Sequence, residues 1–196
     1  MTDMKAINPA AIETYAGQIN SGVDAIVQGL NDLCAHITNV NYGGRNAYAF
    51  KSDSSRVANS LSTKIHEALT QLARQVAQAT SDLSGSLGGS GIVINLKDNK
   101  FTPASPGENT DRGVASMSGL KTLASQVETA FTAIAAGIAK VADMPPNSPA
   151  GWMGDRRNLA EGHINEFVGM SKGSCTTTQD SLTKYIQSQM SSLDGQ

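Results

Sequence analysis

Three histidines, two cysteines and the pair His163 and Glu166 are the first side chains to weigh here for metal binding, proton transfer or nucleophilic chemistry. None of His36, His66 and His163 belongs to a His-Glu-x-x-His run, to a metal-binding pair at i and i+4 with a carboxylate as third group, or to a hydrolase elbow. His163 and Glu166 would share a helix face, the spacing of an ordinary surface pair. Cys34 and Cys175 have no second Cys or His at metal-like spacing and are too few for a disulfide framework. They read as small core thiols, with their redox state left open. Gly85, Gly88, Gly89 and Gly91 are not followed by Gly-Lys-Ser/Thr, so no phosphate loop is expected. The expectation is a non-enzyme with no catalytic residue, metal or cofactor.

A different pattern is more specific. An aromatic-x-Gly turn occurs twice, as Tyr42-Gly43-Gly44 and Trp152-Met153-Gly154, each between two long amphipathic stretches and 110 residues apart in a chain of 196. The natural unit is a helix-turn-helix hairpin used twice. A length of 196 residues can bury one sizeable core. Aromatics are 5% and hydrophobics 39%, with many small residues, which suits close-packed helices better than a sheet sandwich. The formal charge is -2, and Arg156-Arg157 is the only adjacent basic pair, so no nucleic-acid partner is expected.

In the first helix, Asn8-Pro9 is a good start, because Asn can cap an orphan N-H and Pro in the first turn needs no donor. Ile19, Val23, Ile26, Leu30, Leu33 and Ile37 then alternate steps of four and three, one apolar seam that runs to about Thr38. The second helix begins near Arg45 and ends near Ser84. Its apolar positions recur every eleven residues at Phe50, Leu61, Leu72 and Leu83, with Ile65 to Val76, and Val57, Ala68 and Ala79 alongside. Thr110 or Asp111 can cap the third helix, whose seam is Met117, Leu120, Ala124, Val127, Phe131, Ile134, Ile138 and Val141. Pro145, Pro146 and Pro149 end it.

The fourth helix starts near Asp155 and carries Leu159, Ile164, Phe167, Met170, Leu182, Tyr185, Ile186 and Leu193. The polar run from Ser171 to Thr178 interrupts it, and there the helix either kinks, frays into solvent or makes a polar contact. Residues 85–111 form a Gly- and Pro-containing linker. Within it, 92–96 and 100–102 could pair as a small hairpin or lie as a loop along the bundle.

Four single-seam helices bury their apolar faces as a four-helix bundle. The expected fold is all-α: hairpins at 1–84 and 112–196, antiparallel, packed as one bundle and joined by the 85–111 crossover. Helices of thirty-odd residues span ~50 Å at 1.5 Å each, and a 27-residue linker can exceed ~80 Å.

Tyr42-Gly43-Gly44 with Phe50 eight residues on, and Trp152-Met153-Gly154, resemble the signature of the Trp-x-Gly (WXG) family, ESAT-like helical hairpins associated with bacterial type VII secretion. The resemblance covers both halves, so the chain is similar to two such proteins in tandem. It implies a monomer built as a covalent pseudo-dimer, with Tyr42, Gly44, Phe50, Trp152 and Gly154 as turn or recognition residues. Tyr42 replaces the family's Trp in the first copy, and Ala160 stands where the second would carry Phe. The family's export signal, Tyr-x-x-x-Asp/Glu after the last helix, is incomplete: Tyr185 is followed at the fourth position by Gln189, and a partner could supply the acid.

The N-terminus lacks the features of a secretory signal, and no apolar segment approaches the ~20 residues that span a bilayer. The resemblance then implies a protein secreted without a cleaved signal peptide, cytoplasmic before export, acting by protein-protein contact. Its partner is the type VII machinery or a cognate secreted protein, without stable membrane insertion. The alternative is an intracellular helical scaffold that is not exported. Both aromatic turns also have a plain architectural reading, in which the ring caps the core and Gly reverses the chain.

Overall fold

Asn8 opens the first helix as its sequence suggests: the Ala10 N-H donates to its Oδ1 at 3.1 Å, and Pro9 occupies the first helical position. The computed structural model describes residues 6–44, 46–81, 91–96, 100–108 and 116–194. Among these there are four α-helices, α1 Pro9–Thr38, α2 Ala47–Thr80, α3 Met117–Ala142 and α4 Asp155–Asp194. Two short strands, β1 Ala6–Ile7 and β2 Trp152–Met153, pair antiparallel. The architecture is an all-α four-helix bundle.

The expected seams are the buried stripes. In α1, Ile19, Val23, Ile26, Leu30, Leu33 and Ile37 are all buried. In α2 the eleven-residue spacing holds for Phe50, Leu61 and Leu72 and for Ile65 and Val76, while Val57 and Ala68 are half-buried and Leu69 takes an inward position. In α3 the buried set adds Leu123 and Ala130, and Ala124 is half-buried. Leu83 and the expected caps Thr110 and Asp111 lie outside the described residues. The cap seen for α3 is Ser116, whose Oγ accepts from the Gly119 N-H at 3.0 Å.

The chain divides into two compact units. One comprises Met1–Ile26, His66–Lys100 and Ala135–Lys172. Here α1 and α3 run antiparallel and touch backbone to backbone: a Cβ on Gly22 would stand 2.7 Å from the Gly137 carbonyl oxygen, and one on Gly137 would stand 2.6 Å from that of Gly22. Only glycine fits both positions. Around this crossing the Tyr15 hydroxyl donates to the Val141 carbonyl at 2.7 Å, and Gln18 Nε2 donates to Asp143 Oδ2 at 2.9 Å.

The other unit comprises Val27–Ile65, Phe101–Ile134 and Gly173–Gln196. Here α1 meets α3 at Gly29, where a Cβ would press on Ile134 Cγ1 at 2.7 Å, and the Asn41 carbonyl lies against Gly119.

Two alternatives that the sequence left open are decided here, and one expectation, Leu159, is corrected. No pairing forms between 92–96 and 100–102 among the described residues; 91–96 and 100–108 have no regular secondary structure and bond to helix side chains, with Ile92, Ile94 and Ala104 buried. Helix side chains satisfy that backbone in place of a second strand. The fourth helix runs without interruption from Asp155 to Asp194, and Ser171 and Thr178, seven apart, are buried small residues in it. Leu159, assigned to the seam, is 46% exposed, and Ala160 occupies the inward position beside it.

Candidate functional site: the two aromatic turns

In the unit containing Val27–Ile65, Asn39 still bonds back to Ala35, after which the chain leaves α1. Tyr42 turns inward and is buried. Gly44 has φ 100, a conformation open to Gly but strained for side-chain-bearing residues, and its carbonyl accepts from the Ala47 N-H at 3.0 Å to start α2. One helical turn on, Phe50 presents its ring edge-on to Tyr42, centroids 5.5 Å apart at 90°.

The Tyr42 hydroxyl donates to Gln189 Oε1 at 2.8 Å, a contact across 147 residues of sequence. Burial raises the Tyr42 pKa, so the phenol stays a neutral donor. A hollow of about 250 Å³ opens beside this bond, lined by Asn46, Phe50, Asp53, Tyr185, Ser188 and Gln189 among others. Four of the six expected turn and signal residues, Tyr42, Gly44, Phe50 and Tyr185, therefore belong to one site, with Gln189 joining the turn to α4.

Trp152 and Gly154 belong to the other unit. Trp152 is 1% exposed, its N-H donates to the Pro146 carbonyl at 3.1 Å, and it pairs with Ile7 across the β1–β2 ladder. Asn8 ties the same loop twice, N-H to Gly151 O at 2.7 Å and Nδ2 to Ala150 O at 3.0 Å. Gly154 has φ 111, matching Gly44, and its carbonyl accepts from Asn158 N-H. Ala160, eight residues after Trp152, is fully buried. Arg157 is buried beside this turn, donating to Glu161 Oε2 at 2.6 Å and to the Pro145 carbonyl at 3.4 Å, while its Nε has no partner among the described residues.

His163 and Glu166 line a hollow of about 90 Å³ with Leu72, Phe167 and Met170, and no cluster of metal-ligating side chains exists among the described residues. Cys34 is buried against Asn59 and Ser62, and burial pushes its thiol pKa up. Cys175 is half-buried, and burial raises its pKa to about 11. Both thiols are therefore protonated and unreactive near neutral pH.

Sequence reasoning missed one set of residues. Asn59 grips the backbone of Ala104 at both ends, Nδ2 to O at 3.0 Å and N-H to Oδ1 at 2.7 Å; Thr102 and Ser105 donate to Asn31 and Thr38. In the other unit, Asn20 bonds Val93 O and Asn95 N, and Thr80 accepts from Ile92 N. These side chains take the ladder bonds a strand partner would have made. Their only sequence signal is Asn in the interior of long helices, where propensity disfavours it.

No protein-family model, curated protein or solved structure matches this chain. Its class is therefore set by its own geometry: an all-α four-helix bundle with two aromatic-x-Gly turns, each burying its ring and placing its Gly at positive φ.

Proposed function

We propose that this chain is a non-enzymatic substrate or partner protein of a type VII secretion system, acting by protein-protein contact. The single observation behind this reading is the 2.8 Å bond from Tyr42 to Gln189, because it joins the first aromatic-x-Gly turn to the Tyr185-x-x-x-Gln189 segment in one surface. Two motifs far apart in sequence then present a single face, with Tyr185 half-buried at its edge.

On this reading the fold is a tandem of antiparallel hairpins, α1–α2 and α3–α4, joined by the 85–111 crossover, and the chain is a monomeric pseudo-dimer that leaves the cytoplasm without a cleaved signal. The like φ values at Gly44 and Gly154 support the tandem. No helix of the described residues is long and apolar enough to cross a membrane.

The test is release into culture medium from strains with and without the secretion ATPase. Release only with the ATPase supports the proposal, and equal release from both removes it. One observation favours the scaffold alternative: Gln189 is neutral at the position where the export signal would carry an acid. Retention of the chain in cytosol in the ATPase-positive strain selects that alternative.

A further inference from the structure

We propose that the hollow beside the first turn receives an arginine side chain of a partner protein, held by the Asp53 carboxylate and the ring of Tyr185. Its volume of about 250 Å³ is several times a water's ~30 Å³ share, room for a guanidinium and its stem. Among the described residues Asp53 is the one charged side chain lining it. Gln189 Oε1 is taken by Tyr42, which leaves Asp53 on α2 as the carboxylate lining the hollow. Tyr185 is half-buried with its hydroxyl making no hydrogen bond among the described residues, and Asn46 and Ser188 add exposed polar groups at the rim.

A carboxylate, an aromatic ring and polar acceptors together suit a planar cation, which stacks on the ring while donating in a fork. Lysine, a compact, strongly hydrated point charge, uses the ring less well and cannot bond bidentately. Asp53 pairs with Arg56 at 3.6 Å, but both side chains are more than half exposed and such pairs are weak, so a guest can displace Arg56. An anionic guest would be repelled by the Asp53 carboxylate, and a wholly apolar one would gain nothing from it.

The proposal rests on the reading that this surface is the one a partner grips, and it names what the grip contains. It is tested on the purified full chain by NMR titration with a short capped peptide of glycine and alanine around one arginine. The controls carry citrulline or lysine in that place. Saturable shifts are expected at Asn46, Asp53, Tyr185 and Ser188, with the citrulline peptide at least about fivefold weaker.

Asp53→Asn, at an exposed position, should weaken the arginine peptide by about fivefold with an unchanged melting temperature, and Tyr185→Leu should weaken it by a few fold. Equal binding of citrulline or lysine, unaltered affinity in Asp53→Asn, or shifts confined to another surface would overturn the assignment, as would absence of saturable shifts up to millimolar peptide. Arginine binding without ATPase-dependent release rejects the secretion reading alone. ATPase-dependent release without arginine binding rejects the arginine pocket alone.

Discussion

At Tyr42 and at Trp152 the chain reverses by the same local device, yet the two turns are held by different means. Each buries the first ring and sets the third residue at φ near +100, 100 at Gly44 and 111 at Gly154. The Trp152 turn is closed from all sides: a β ladder to Ala6–Ile7, two bonds from Asn8 and one to Pro146. Among the described residues the Tyr42 turn is held by two local backbone bonds, Tyr42 N-H to Val40 O and Ala47 N-H to Gly44 O, with one edge-on ring and one hydroxyl bond to α4, and it borders a hollow. Local chemistry repeats, while the surroundings make one turn a structural plug and leave the other accessible at its margin. The side chains eight residues later fit that division. Tyr42 is followed by Phe50 and the larger Trp152 by Ala160, so the bulk buried at the second position falls where the ring at the first is larger.

Breaking the plug should cost most. Trp152→Ala is expected to destabilise by about 3 to 5 kcal/mol in chemical denaturation, since a fully buried indole leaves a large void. A loss below about 1 kcal/mol would mean the ring does not fill the core. Next come the glycines: Gly44→Ala and Gly154→Ala should each lose about 1 to 2 kcal/mol, and clearly unequal losses would mean that the two turns do not share one backbone device.

Alkaline pH sharpens the contrast between phenols. Burial, then the Asp143 charge, raises the Tyr15 pKa above its ordinary value. A phenol raised on folding contributes full stability below about pH 10, and that contribution is lost as pH rises toward the folded value. Stability should therefore fall above about pH 10, and Tyr15→Phe should make the fall shallower by about 1 kcal/mol per pH unit. An identical slope in the variant would contradict the assignment.

Tyr42→Phe keeps the ring contact and removes only the bond to half-buried Gln189, so about 1 kcal/mol is expected. The smallest effect has the opposite sign. Gly173 lies inside α4 with nothing within 4 Å of the place an alanine methyl would take, so Gly173→Ala should stabilise by about 0.5 to 1 kcal/mol in thermal melting. Destabilisation would show that the Ser171–Thr178 stretch needs its flexibility.

Much of the framework was legible along the chain. The three-four alternation placed the cores of α1 and α3, Asn8-Pro9 marked the start of α1, and Thr38 marked its end. The polar run in α4 was misleading when judged by composition, because Ser171 and Thr178 sit at the helical repeat and their burial depends on position. The 91–96 segment was equally ambiguous: Ile92 and Ile94 alternate like a strand, but Asn20 and Thr80 take the place of a second strand.

Periodicity, capping and turn chemistry act over a few residues, so the sequence by itself determined four helices, their inward stripes and two glycine-dependent reversals. The partner of a polar group depends on which distant segments pack together. Tertiary structure alone decided that Gln189 meets Tyr42, that Asp53 shares a hollow with Tyr185, that asparagines hold the 91–96 and 100–108 segments, and that Gly22 and Gly137 let two backbones touch.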